Sequence, residues 1–203
     1  MTFEVELKIK LHNTDKKLIE QFVSSSSFKG KYEGGFEQTD HYFDTIPPSS
    51  AKNDTALRIR IEKSIDLDRK TNKMIEITYK GKKLNPNSKT RLEYNLHLVA
   101  ETDFKAVKGL FNELGYVDAI QIYKKRHNYL LEPDEGIVLS VDTNELGDFV
   151  EIEKIIEKSE EIESTEEYLW NYLQNIIGPL TKDRKIVKSY LELILEAKKG
   201  KKI

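Results

Sequence analysis

A two-residue alternation of apolar and charged side chains returns eight times along this chain, and it limits the possible folds more than any other feature. It is clearest at the start: across residues 2–12, Phe3, Val5, Leu7, Ile9 and Leu11 alternate with Glu4, Glu6, Lys8 and Lys10. Successive side chains of a strand point to opposite faces, so each such run places apolar groups on one side and charges on the other. The same rhythm marks 36–45, 55–63, 73–81, 89–99, 120–131, 136–143 and 148–156. These are strand lengths, and most of the runs are rich in β-branched and aromatic residues.

Helical periodicity falls between and after them. The spacing predicts helices over 13–23, over 102–115 with Thr102 as N-cap and Gly115 just past the end, over 164–178 and over 182–199. Ser164 followed by Glu167 reads as a capping box. Breaks are expected at 47–50, 66–72 and 84–88, and 145–148 has the length of a hairpin turn. No boundary or fixed-period repeat divides the chain. The expectation is a single α+β domain over 1–203, with its C-terminal helices at about 164–199.

The charges raise the functional question. The chain has 33 basic and 35 acidic residues for a net charge of -2, so neither a nucleic-acid-coating surface nor an acidic tail follows. There is no cysteine, which excludes disulfides and thiolate metal sites. No apolar run is long enough to span a bilayer, and the first residues lack the pattern of a signal peptide. These features predict a soluble, cytoplasmic protein with no membrane or nucleic-acid partner.

On any one strand, alternating charge is how the wet face of an antiparallel sheet reads. Taken together, the strands carry something more specific. Arg58 with Arg60 and Lys124 with Arg126 are basic pairs two residues apart, and Glu4 with Glu6 and Glu151 with Glu153 are acidic ones. Like charges so close need a counter-charge. A polyanion would satisfy the bases and a divalent cation the acids, and a closed barrel could point both sets into one lumen. Carboxylates from two strands suit Mg²⁺ or Mn²⁺, which take further ligands from phosphate oxygens. Converging Arg and Lys suit a phosphate chain. The pattern points to a metal-bridged polyphosphate.

Glu4-Val5-Glu6-Leu7-Lys8 resembles the ExExK signature of the CYTH superfamily, the triphosphate tunnel metalloenzymes, which include class IV adenylyl cyclases and thiamine and inorganic triphosphatases. The resemblance continues in order through Asp40-His41-Tyr42-Phe43-Asp44-Thr45, Ala56-Leu57-Arg58-Ile59-Arg60, Thr78-Tyr79-Lys80-Gly81, Arg91-Leu92-Glu93 and Lys124-Lys125-Arg126. It ends with the 142–153 hairpin and with Ser189-Tyr190-Leu191-Glu192-Leu193, which is similar to the closing helix of cyclase-like members.

The resemblance implies an antiparallel eight-stranded closed β-tunnel flanked by helices. It implies metal held by Glu4, Glu6, Glu151 and Glu153, with Asp142 as a further ligand, and a phosphate path along Lys8, Arg58, Arg60, Lys80, Arg91, Lys124 and Arg126. Lys8, Lys80 and Glu93 form the implied catalytic set, Glu93 orienting a base or joining the metal. The expected partner is a small triphosphate (inorganic triphosphate, ATP or another nucleoside triphosphate), and the protein is a monomer or homodimer. Hydrolysis of the terminal phosphate is the first reading, since it needs neither a base pocket nor a folded-back ribose. Cyclisation of ATP to cyclic AMP and pyrophosphate is the second, and non-catalytic binding of polyphosphate or nucleotide the third. His41 and His127 read as ordinary strand residues rather than acid–base groups, Tyr168 and Trp170 as core, 198–202 as a solvated tail, and Lys10 as a residue of the tunnel mouth.

Overall fold

A computed structural model describes residues 3–66, 73–84, 90–99, 101–132 and 135–200. All eight alternating runs are strands: β1 (Phe3–Lys10), β2 (Lys31–Thr45), β3 (Ala56–Ser64), β4 (Lys73–Lys83), β5 (Arg91–Leu98), β6 (Tyr116–Glu132), β7 (Ile137–Asn144) and β8 (Gly147–Ile156). They form one closed antiparallel barrel in the order β1-β5-β4-β3-β2-β6-β7-β8. Helices α1 (Asn13–Val23), α2 (Ser50–Asn53), α3 (Phe104–Glu113), α4 (Ile162–Ile177) and α5 (Tyr190–Gly200) flank it, so the expected α+β barrel is the fold that forms. The expected breaks at 67–72 and 85–88, and the end of the tail at 201–202, lie outside the described residues.

The barrel is an ordinary half-wet sheet turned inside out. The apolar faces of β1, β7 and β8 point outward and pack under α1 and α4: Val5, Leu7, Ile9, Leu139, Val150 and Ile152 are buried against Ile19, Leu169 and Leu173. A second outer core puts Phe43, Ile59 and Ile75 beneath Phe111 of α3. Each such fully buried aliphatic or aromatic side chain is worth roughly 1.5–3 kcal/mol. With the apolar faces covered from outside, the charged faces are left to line the lumen.

Several boundaries differ from the sequence expectation. β2 and β6 extend to Lys31 and Tyr116, and their long ladder absorbs register shifts between Tyr32 and Gly34 and between Tyr42 and Phe43. Gly34 has φ 137° at the first shift, where glycine carries no Cβ penalty. At α3 the N-cap is Asp103, which accepts from Lys105 N at 2.8 Å, rather than Thr102. Gly115, at φ 86°, follows this helix as expected. Ser164 is not an N-cap: α4 starts at Ile162, and Ser164 Oγ donates to Glu161 O at 3.1 Å from within its first turn. Ile162 packs on the core, and this apolar contact starts the helix ahead of the polar signal.

The largest correction is at 182–199. Its first residues form a one-turn 3-10 helix (Lys182–Arg184), and Lys185 then bridges to Ile9 of β1 while Ile186 N donates to Lys8 O at 2.8 Å. This extended segment uses an edge that β1 leaves open, because β1 pairs with β5 only at Phe3↔Leu92 and Glu4↔Arg91. Helix α5 therefore begins at Tyr190. Its capping box is Ser189–Glu192, with Glu192 N to Ser189 Oγ at 3.2 Å and Ser189 N to Glu192 Oε2 at 2.7 Å. Among the described residues, no helix is long and apolar enough to cross a membrane.

Candidate active site in the barrel lumen

Antiparallel register sets acid against base across most of the lumen. Lys8 stands opposite Glu151, Arg60 opposite both Asp40 and Glu76, Lys80 opposite Glu93, and Arg126 opposite Asp142. The side chains meet accordingly. Lys8 Nζ lies 3.0 Å from Glu151, and Lys80 forms a short ion pair with Glu93. Arg60 grips Asp40 with both arms at 2.6 and 2.8 Å, and Arg58 reaches Asp40, Glu76 and Thr78. Asp142, fully buried, accepts from Arg126 at 2.6 Å on each oxygen, from Lys124 at 2.9 Å and from the Tyr190 hydroxyl at 2.9 Å. Arg126 also pairs with Glu151. Arg91 lies at the margin, donating to Gly81 O at 3.2 Å.

Burial by itself would raise the Asp40 carboxyl, but Arg60 and Arg58 outweigh it and hold it far below the usual range. Asp142, where burial opposes Arg126 and Lys124, is held at about 2. Lys124 is the less compensated partner: burial, and then the adjacent Arg126, push its ammonium down to about 8. Arg58 Nε is buried with no acceptor among the described residues. Most of the wall is paired internally, since Asp40, Glu76, Asp142 and Glu151 hold Arg58 and Arg126 charged, and Lys124 with the Arg58 Nε are the groups most open to an anion with many oxygens.

One lumenal ladder position sets acid against acid: Glu6 stands directly opposite Glu153. Such pairs are destabilising unless something positive lies between them. Glu153 makes no hydrogen bond or ion pair to any described residue. Burial, and then Glu4 with Glu6 and Glu151 against the pull of Arg126, push its carboxyl up to about 8. Glu4, among the described residues, reaches Lys80 at 3.9 Å. Among the described residues no three carboxylate or imidazole groups already converge as a closed metal cage. The donor set nevertheless fits a hard divalent cation, which takes few protein carboxylates and leaves positions for water and phosphate.

A CYTH domain profile matches residues 2–190. The chain belongs to the CYTH domain family. No curated protein matches it in sequence. Among solved structures it resembles the PH1819 protein of Pyrococcus horikoshii, with 29% identity, 96% of this chain and 99% of that one covered, and a TM-score of 0.80. A Vibrio parahaemolyticus protein provisionally described as an adenylate cyclase shares the fold at 16% identity and TM-score 0.74, covering 95% of this chain and 98% of that one. So does Hippeastrum HpAC1, an adenylyl cyclase candidate whose structure is described as revealing a dominant triphosphatase activity, at 17% identity and TM-score 0.62, with 97% and 96% covered.

The CYTH barrel gathers most of the residues singled out in the sequence and sorts them. Asp142 stands apart from the Glu6–Glu153 pair and is engaged by Lys124, Arg126 and Tyr190, which makes it an anchor for those bases. Glu151 is likewise held by Lys8 and Arg126. Lys10 is exposed, its Nζ 5.8 Å from the Phe149 ring, which places it on the Tyr190 side of the lumen and not at the mouth beside Glu4, where it was expected. His41 faces outward against Phe104 and Asp118, and His127 meets the Tyr32 hydroxyl at 3.0 Å on the outer face, both away from the lumenal charges. Trp170 packs on the core, whereas Tyr168 is 41% exposed beside Tyr172, contrary to its expected core place. A surface depression of about 400 Å³ lined by Tyr79, Lys82 and Tyr116 lies outside the barrel and holds none of the lumenal charges.

Lumenal residues that the sequence reading did not assign to the site include Asp40, Glu76 and Tyr190. Asp40 shares a strand face with Gln38, a signal that was present in the alternation; Tyr190 comes from a helix, and no strand pattern could reveal it.

The Glu153 carboxyl gives a pH prediction. Between its ordinary value of 4.5 and about 8, the native state holds a proton that the unfolded chain has released. The stability it contributes is therefore complete below the unfolded value and is lost as pH rises through the folded one. Thermal melts of the metal-free protein from about pH 5 to about pH 8.5 should show this loss, and Glu153→Gln should flatten it. Parallel profiles for the two proteins would refute the assignment.

Proposed function

We propose that this chain is a divalent-metal-dependent triphosphatase that releases the terminal phosphate of inorganic triphosphate or a nucleoside triphosphate inside the barrel. The observation that carries the reading is the Glu6–Glu153 opposition on the same lumenal face as the clustered bases Lys8, Lys124 and Arg126. Glu4, Glu6 and Glu153 would hold Mg²⁺ or Mn²⁺, which supplies neutralisation of phosphate oxygens and a more acidic water. Lys8, Arg58, Arg60, Lys124 and Arg126 would bind and orient the phosphates, exchanging their internal carboxylate partners for substrate oxygens. Lys80, oriented by Glu93, would stabilise charge developing on the leaving group nearer the mouth, with Arg91 also along the path. Those internal ion pairs keep the bases in place before substrate arrives, so little reorganisation is needed. The triphosphatase activity described for the Hippeastrum relative is in line with hydrolysis. We read the chain as one cytoplasmic domain.

The test is product analysis by phosphorus NMR after incubation with ATP or inorganic triphosphate and Mg²⁺ or Mn²⁺. Orthophosphate is expected. Cyclic AMP with pyrophosphate would replace this reading by an adenylyl cyclase, and binding without turnover would replace it by a non-catalytic module.

A further inference from the structure

Helix α5 buries Tyr190 and Ile194 against Tyr42, Ile122 and Phe149, an apolar cluster next to the lumenal charges. The Tyr190 ring stands edge-on to Phe149 at 5.2 Å, and its hydroxyl donates to Asp142. Two cations of the basic wall abut its face, Lys8 Nζ at 3.6 Å and Lys124 Nζ at 5.1 Å from the ring centroid. Exposure falls toward the Tyr190 ring: the side chains of Glu4 and Lys80 are 24% and 21% exposed, those of Lys8 and Lys124 only 1% and 3%. The helix is tethered by Glu192 to Lys83 at 2.9 Å and by Lys188 O to Lys8 Nζ at 3.4 Å.

We propose that Tyr190 is a specificity-determining stop that ends the phosphate path and thereby decides which phosphoanhydride bond is cut. The inference rests on the triphosphatase reading and deepens it. A chain enters by its phosphate end from the open mouth, its terminal phosphate comes to rest among Lys8, Lys124 and Arg126 against the ring, and any nucleoside stays outside. Substrates are then linear phosphates with a free end, and nothing threads through. In the wild type a water oxygen bonds to the γ-phosphorus of ATP, and the bond from that phosphorus to the β–γ bridging oxygen breaks. ADP leaves with the electron pair, and the water proton passes to solvent. Without the ring the chain slides one phosphate deeper. Water then bonds to the β-phosphorus, the bond to the α–β bridging oxygen breaks, and AMP and pyrophosphate leave.

The test compares nucleotide products from ATP for wild type, Tyr190→Phe, Tyr190→Leu and Tyr190→Ala, each checked for folding by circular dichroism. Wild type and Tyr190→Phe, which keeps the ring, should give ADP. Tyr190→Ala, or Tyr190→Leu where the alanine variant does not fold, should raise the AMP-to-ADP ratio at least about tenfold, a change of register that mere loosening of the fold would not produce. An unchanged ratio in a folded, active variant lacking the ring overturns the proposal and leaves the triphosphatase reading intact. A wild type that releases no orthophosphate from any triphosphate overturns both.

Discussion

Replacing Glu4 and Glu6 together by glutamine should lower metal-dependent turnover of a triphosphate by at least about a hundredfold while the chain stays folded. A bound metal contributes several kcal/mol of charge stabilisation to phosphate chemistry, and about 1.4 kcal/mol corresponds to a factor of ten in rate. Glutamine keeps the shape and one acceptor oxygen of each side chain but removes the charge that attracts a hard cation. Glu6 is 7% exposed and faces Glu153, so the change also removes the like-charge opposition at that ladder position. Steady-state phosphate release over a Mg²⁺ or Mn²⁺ titration measures the effect, and circular dichroism checks the fold. Wild-type turnover in the double variant would remove both residues from the metal assignment.

Asp142→Ala should act on stability instead. The substitution takes this carboxylate from two buried cations and a buried phenol, since Arg126, Lys124 and Tyr190 all donate to it, and leaves Arg126 with Glu151 alone. Removing one partner from a buried ion pair costs about 3–5 kcal/mol, because the remaining charge stays buried without compensation. That is a large share of the roughly 5–15 kcal/mol that holds a typical domain together. Urea unfolding should show the midpoint falling with little change in slope. The loss should be the same with and without Mg²⁺. A defect seen only in the presence of metal would instead make Asp142 a ligand, as the resemblance in the sequence implied. Asp142→Asn, which keeps an acceptor but no charge, should fall between the two.

The two experiments separate roles that look identical in the sequence. Glu6 and Asp142 are both acids on the charged face of an alternating strand. The first stands opposite another acid and the second opposite an arginine. Strand pairing is what leads us to propose a cation for the first and a scaffold role for the second. The same holds for Glu151 and Glu153, two residues apart on one strand: Glu151 is paired with Lys8 and Arg126, while Glu153 has no such partner among the described residues.

What the sequence determined by itself was local. Each run from Phe3–Lys10 to Gly147–Ile156 carried its own period-two signal, and helices at 13–23 and 102–115 were marked by caps and polar starts. Which face of each strand was charged was therefore plain, as was most of the lumenal set. Whether those charges met water or one another was not, because an alternating strand reads the same on an open wet sheet and in a closed barrel. Closure, the register that places Glu6 opposite Glu153, and the segment at Lys185 that delivers Tyr190 into the lumen are properties of pairs of elements far apart in the chain. A one-residue slip in any ladder would turn every side chain of that strand to its other face, so only the assembled tertiary structure could decide which acids stand opposite a base and which opposite another acid.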